Sequence, residues 1–384
     1  MIPYLVRKRY SASRFKQRGK GERVNYPHRC RALLEGTDGI PFLVINLEDS
    51  DHVSLFYLTG FTGEGALLLC QEEAILLTDS RYTEQAKREV PDLSVKEVKG
   101  KYLSEVAELI RSRAIKRVAI ASKRASHFTV ERLRELSGAD LTPLEDPVAC
   151  LRRRKDADEI KRIRQASQLA EASLEEILTR VKIGMSEREV ALQLEWIMRA
   201  KGAEKGAFDL IIAAGENSAL PHYRPNPGIR KLKPGELLLF DIGAQLDGYC
   251  SDMTRVVALG EVPVQAREVY DLVFRANRAG LAALRAGRRG VDVDAAARDV
   301  IAKAGYKERF GHGLGHGVGL EVHEGPSLSP LSEDTLEANM VVTVEPGVYL
   351  PGFGGVRIEE LVVVTNDGCD VLTNFPCDRL IEVG

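Results

Sequence analysis

The stretch ELLLFDIGAQLDGYCSDMTRV, residues 236–256, decides the fold. It is an apolar run broken by single acids, and Asp247-Gly248 favours a two-residue hairpin turn because both residues tolerate positive φ. With that pair as the turn, Leu246 faces Tyr249 and Gly243 faces Asp252. Side chains alternate along a strand. Asp241 and Asp252 therefore share a face as diagonal neighbours, within roughly 7–8 Å. The stretch MVVTVEPGVYLPGFGGVRIEELVVV, residues 340–364, reads the same way: a Gly/Pro-rich loop centred near Gly352 sets Glu345 opposite Glu359. The acids also correspond across the chain, Asp241 to Glu345 at 104 residues and Asp252 to Glu359 at 107.

The helices before each hairpin keep nearly the same offset. Adding 106 carries Ile163 onto Val269, Ala170 onto Ala276, Leu178 onto Leu284 and Gly184 onto Gly290. It also carries Ser186 onto Asp292, and Val190, Ala191 and Leu194 onto Ala296, Ala297 and Val300. Ser186 with Glu189 forms a capping box, and Asp156 caps the helix before it. Amphipathic helices resemble one another by chance, but acids at a matching offset do not follow from that. A duplicated unit packed about a pseudo-twofold axis is expected.

One acid per hairpin is explained by an ordinary salt bridge. Four acids aimed at one interior would repel and stay partly protonated unless cations neutralised them. Of seven histidines, four fall at His222, His312, His316 and His323. The last three lie in a stretch with Gly at every odd position from 311 to 319, which lets backbone and rings approach a crowded centre. His222, in ALPHY (219–223), reads equally well as a loop residue. Four carboxylates and an imidazole suit two divalent ions, Mn²⁺ best, with Co²⁺, Fe²⁺ or Zn²⁺ as alternatives. Two such ions, roughly 3.5–4 Å apart, can hold a shared hydroxide and polarise a carbonyl, which points to hydrolysis.

Residues 32–150 alternate helix and strand, with strands at 41–46, 66–70, 74–78 and 118–121 and helices at 82–89 and 103–114, an α/β domain. The charge run LRRRKD, 151–156, reads as a solvated linker face. Of the 384 residues, 54 are Lys or Arg and 56 Asp or Glu, so the net charge of −2 gives no electrostatic case for a nucleic-acid partner. Residues 1–31 hold ten Lys/Arg and one acid, Glu22, leaving about −11 on the rest; a disordered basic extension at 1–22 is expected. No apolar run approaches the roughly 20 residues that span a bilayer, so no membrane association is expected. Six irregularly spaced cysteines without a CxxC suggest reduced thiols in a cytoplasmic protein.

In FDIGAQLDGYCSDMTR (240–255), GHGLGHGVGLEVHE (311–324), VEPGVY (344–349) and GVRIEE (355–360), the chain resembles the pita-bread metallopeptidases, most closely the Xaa-Pro aminopeptidases (aminopeptidase P) and prolidases. YLTGFTGEGALLL (57–69) and LLTDSRYTEQA (76–86) look like the creatinase-type N-terminal domain. The resemblance implies an α+β chain: a creatinase-like α/β domain at 23–150, then a catalytic pita-bread domain with a pseudo-twofold repeat at 151–384. It implies five metal ligands: Asp252 and Glu359 bridging two ions, Asp241 completing one, His316 and Glu345 the other. Glu345 would accept the water's proton, His222 and His323 would hold the scissile carbonyl, and His312 would line the pocket for the residue after the cut. Arg357 is expected on the strand face opposite Glu359, in a supporting layer with Tyr349.

The implied substrate is a peptide with proline second, and the implied assembly a homodimer. An Xaa-Pro bond is a tertiary amide without N–H, so its enzyme must grip the substrate by other groups. Two alternatives stand beside an Xaa-Pro aminopeptidase: a prolidase restricted to dipeptides, and a non-catalytic binding protein on the same fold.

Overall fold

The structure, a computed structural model, describes residues 25–224 and 230–383. The basic extension expected at 1–22 lies outside the described residues. The N-terminal part is a six-stranded sheet in the order Ser94–Val98, Ala74–Asp79, Gly65–Leu69, Phe42–Asn46, Arg117–Ala121, Asp140–Leu144. Gly65–Leu69 runs antiparallel to both neighbours; the other pairings are parallel. Its central strands are apolar throughout because both faces are covered. Leu43, Leu68, Ile75 and Leu77 pack with Val106 and Ile110 of helix Tyr102–Ser112. Phe42, Val44, Leu67 and Leu76, on the other face, pack with Leu33, Leu55 and Leu58. That second cluster continues into Val318, Leu320, Val341 and Leu361, so the two parts of the chain share a core.

The C-terminal part is built twice. Helices Ala157–Leu178 and Glu187–Ala200 precede the first hairpin, and Val264–Ala283 and Gly290–Lys303 precede the second. In one sheet Met253–Leu259, Leu237–Ile242 and Ile211–Ala214 lie side by side; in the other, Glu360–Val364, Val341–Val344 and Gly315–Gly317 take the equivalent places, roughly a hundred residues on. Capping boxes form at Asp156/Glu159 and Ser186/Glu189 as expected. The repeat does not extend to the matching cap. The fourth helix begins at Gly290, two residues before Asp292, with Arg289 at its N-cap. A Cβ at Gly290 would come within 2.3 Å of the Ser327 carbonyl, so close packing fixes this start.

The run 151–156 is not a solvated face. Arg152 and Lys155 are buried, paired with Glu321 and Glu324; Arg154, paired with Glu337, and the cap Asp156 stay exposed.

Candidate metal centre

In the first hairpin Asp247 and Gly248 both take positive φ, and Leu246 pairs with Tyr249 as the turn chemistry requires. Further along, Asp241 pairs with Thr254 and Ile242 with Met253, so Asp241 and Asp252 point to one side. Gly243 is obligatory here: a Cβ would lie 2.1 Å from the Ser251 carbonyl.

In the second hairpin Gly347 pairs with Arg357 and Val344 with Glu360. The same register sets Glu345 opposite Glu359, where the two ladders separate. Their N–H groups do not bond to each other's strand. Glu345 donates to the Leu314 carbonyl at 2.8 Å, in the glycine-rich loop, and Glu359 donates to the Thr254 carbonyl at 3.2 Å, in the first hairpin. The halves of the repeat are thus joined at the acids.

Donor atoms of Asp252, His316 and Glu359 all lie within 4.8 Å of one another. His316 Nε2 is 3.3 Å from Glu345 Oε1 and 3.7 Å from Asp252 Oδ2. Asp241 joins them through Arg357, whose Nη2 donates to Asp241 Oδ2 at 2.6 Å. The same guanidinium donates from Nε to Thr254 Oγ1 at 3.0 Å and from Nη1 to the Tyr349 hydroxyl at 2.8 Å. Thr254 passes its proton toward Glu359 Oε2 at 2.7 Å. Arg357 is therefore not on the face opposite Glu359. Residues two apart on a strand share a face, and Arg357 lies among the acids.

His312 reaches this network indirectly, Nε2 lying 2.8 Å from the Tyr349 hydroxyl. The His323 ring is 4.3 Å from that of His316. His222 is exposed, on the loop after the turn Gly215–Ala219; burial and then the His316 charge lower the His323 pKa, and the charge of His222 adds to this. Asp241, Asp252, His316, Glu345, Glu359 and Arg357 thus form one cluster, with His312 and His323 beside it; His222 meets it only through its charge on His323.

The electrostatics are those of acids without enough counter-charge. Burial raises Asp241 even against Arg357. Burial and the neighbouring acids push Asp252 well above the usual carboxylate range and Glu359 up to about 8. Glu345 goes the other way. Burial would raise it, but the hydrogen bond and charge of His316 outweigh this and hold it down to about 2. In return Glu345 raises His316 to about 9 against its own burial. One guanidinium and one imidazole face four carboxylates, three buried and Glu345 partly so. An oxygen-rich set with one imidazole fits hard or borderline divalent cations, which would relieve the repulsion directly.

Four further residues do not come from motif reading. Thr343 donates to Glu345 Oε1 at 3.2 Å and accepts from His316 N, while Thr254 serves Glu359. Each threonine lies two positions from a cluster acid, so strand alternation alone could have found it. Glu187 is buried at the start of helix Glu187–Ala200. It accepts from Ala214 N at 2.7 Å and from the Tyr223 hydroxyl at 2.6 Å, tethering the loop that carries His222. In the other half Asp294 accepts from Leu314 N at 3.0 Å, and its partner Arg298 donates to the carbonyls of Phe310 and His312.

This chain belongs to metallopeptidase family M24, which it matches over residues 161–366; residues 29–154 match the creatinase/prolidase N-terminal domain. It is similar to YqhT of Bacillus subtilis, named an uncharacterized peptidase, with 40% identity over 350 residues, 91% of this chain and 98% of that one. Among solved structures, an X-Pro aminopeptidase from Thermotoga maritima MSB8 superposes with a TM-score of 0.86 at 40% identity, covering 90% of this chain and 98% of that chain. An Xaa-Pro dipeptidase from Bacillus anthracis gives 0.89 at 37% identity, covering 94% and 100%. The α+β architecture, with a pita-bread half behind a creatinase-type domain, follows, as does hydrolase activity dependent on divalent metal. Among the described residues no helix is long and apolar enough to cross a membrane.

Proposed function

We propose that this chain hydrolyses the Xaa-Pro bond at the N-terminus of peptides, using two divalent cations, manganese first among the candidates. The observation that carries the reading is the convergence of Asp252, His316 and Glu359, with Asp241 and Glu345 tied into the same network. Asp252 and Glu359 would lie between the cations, Asp241 on one side, His316 and Glu345 on the other. Cations held there would supply a nucleophilic hydroxide at neutral pH and polarise the scissile carbonyl.

The chain's own groups would do the rest. Glu345, held ionised beside His316, is the base poised to take the proton of the attacking water. His323 and His222 flank the position of the substrate carbonyl. Tyr349 links His312 to Arg357 and fixes one wall of the pocket for the residue after the cut. Because a prolyl nitrogen carries no N–H, recognition must come from the ring and from the substrate's free terminus. All six cysteines are unpaired, in keeping with a cytoplasmic protein. A homodimer belongs to the same reading.

The deciding experiment strips the protein with chelator, restores Mn²⁺, and assays an Xaa-Pro series. Bound metal near two ions per chain with cleavage of an Xaa-Pro-Xaa tripeptide is expected. A dipeptide-only enzyme would instead be a prolidase, a reading favoured by the name of the Bacillus anthracis structure. A chain that neither binds metal nor cleaves would be a binding protein.

A further inference from the structure

We propose that the N-terminal part of the chain sets the position of His323 through an ion cluster that grips its loop on both sides. Arg124, Arg152 and Lys155 would then be positioning residues for the reaction. The inference rests on the placement of His323 at the substrate carbonyl proposed above.

Residues 318–323 link strand Gly315–Gly317 to strand Glu324–Leu328, and the ladder between these strands shifts register at His316/Gly317. His316 is independently secured, its N–H on Thr343 and its ring on Glu345. His323 is not. Among the described residues its ring makes no hydrogen bond, only a tilted contact with the His316 ring at 4.3 Å, so its place depends chiefly on the backbone that carries it. That backbone is held by Glu321, two residues before, and Glu324, one after.

Glu321 takes a two-pronged bond from Arg124, at 2.8 and 2.7 Å, and a third from Arg152 at 3.0 Å. Burial alone would raise its pKa, but Arg124 and Arg152 hold it down to about 2. Glu324 is bonded by Arg152 Nη2 and, at 2.7 Å, by Lys155 Nζ. Arg124 is anchored in turn on Asp146 at 2.8 Å. Gly319 leaves room for this: a Cβ there would lie 2.5 Å from Glu324 Oε1. Beneath the charges, Val318 and Leu320 pack in the core that contains Leu33, Leu55 and Leu58.

The three cations come from before residue 157, and the two acids they grip, Glu321 and Glu324, stand on either side of His323. A buried ion cluster is weak evidence for stability, because desolvation offsets much of the attraction; its best-attested use is to fix one arrangement among several. Here the fixed arrangement presents an imidazole beside the metal cage. Loosening the cluster should displace His323 and leave the cage loaded.

The test uses Arg124→Gln and Glu321→Gln in the full chain. Arg124 and Glu321 reach solvent, at 21% and 32% exposure, so each can be hydrated when the other is changed; buried Arg152 keeps Glu324 and buried Asp146 keeps the Ala149 N–H, so the variants should fold. Mn²⁺ content should stay at the wild-type level. Hydrogen–deuterium exchange of the peptide covering 318–325 should quicken several-fold. The kcat on an Xaa-Pro peptide should fall about 10- to 100-fold, the effect of a misplacement near 1 Å. In a His323→Ala background the same substitutions should cost nothing further. Unchanged exchange and rate, or an equal loss with His323 absent, would overturn the inference. If the wild-type chain cleaves no Xaa-Pro peptide, the proposed function fails, while the exchange measurement still decides whether the cluster holds the loop.

Discussion

Thr254→Val tests how the cage is oriented. Thr254 is fully buried, and valine matches its shape, so the substitution removes one hydroxyl and little else. That hydroxyl accepts from Arg357 Nε at 3.0 Å and donates to Glu359 Oε2 at 2.7 Å, relaying the guanidinium's position onto the carboxylate. Each bond involves a group that is charged in the loaded site, where removal is worth about 1.5–3 kcal/mol. Arg357 keeps its bonds to Asp241 and Tyr349, so part of the loss is absorbed. A net penalty of about 2–3 kcal/mol is expected, roughly 30- to 150-fold in Mn²⁺ affinity or kcat/KM, in the range of other supports of metal ligands. Calorimetric titration of the stripped protein with Mn²⁺, paired with Xaa-Pro peptide kinetics, measures both. Thr254→Ser keeps the hydroxyl and should stay within a few-fold of wild type. A valine variant with wild-type affinity and rate would show that Glu359 is oriented without Thr254, and the relay would be wrong.

Three further outcomes follow from the same geometry. Asp252→Ala removes one of the three groups whose donor atoms converge within 4.8 Å, so peptidase activity should vanish and bound Mn²⁺, by mass spectrometry, should fall sharply. Gly243→Ala drives a methyl to 2.1 Å from the Ser251 carbonyl and must open the first hairpin; a loss of about 2–3 kcal/mol by urea unfolding is expected. Metal-free protein should lose stability between pH 6 and pH 9. Glu359, raised from 4.5 to about 8, holds in the folded state a proton that the unfolded chain releases, a cost that grows until it ionises, and the His316–Glu345 attraction fades as His316, raised to about 9, loses its proton. Saturating Mn²⁺ should remove this fall; a metal-free melting temperature that rises across the window would contradict the electrostatic account.

What could be read from the sequence depended on how local the cause was. The first hairpin's register follows from Asp247-Gly248, and the second from the centre of its loop; neither needs information from elsewhere. The central strands of the N-terminal sheet were visible as apolar runs. Its edge strands, Ser94–Val98 and Asp140–Leu144, were not, because edges are polar and Asp140–Leu144 tolerates Pro143. Arg152 and Lys155 looked like a solvated run because their partners, Glu321 and Glu324, lie about 170 residues away. Glu187 and Asp294 sit in or near the first helical turn, where acids are commonplace, and only the folded loops show what they hold. The Arg357 expectation failed for a simpler reason: strand alternation puts it on the same side as Glu359.

The same contrast explains why the acids can be tolerated at all. Neighbouring carboxylates in a closed ladder would have only side-chain rearrangement to relieve their repulsion. Here Glu345 and Glu359 occupy the gap between two ladders, and their N–H groups are satisfied by Leu314 and Thr254 from other segments. Asn277 closes the gap from behind, donating to the carbonyls of Val344 and Ile358. The N–H groups of both acids are therefore satisfied without their carboxylates, and the acids are free to face inward. What the backbone cannot supply is counter-charge beyond Arg357 and His316. Any cation that binds the native arrangement and not the unfolded chain stabilises the native arrangement by its binding free energy. The repeat provides the scaffold, and the charge imbalance at its centre makes the folded state respond to metal.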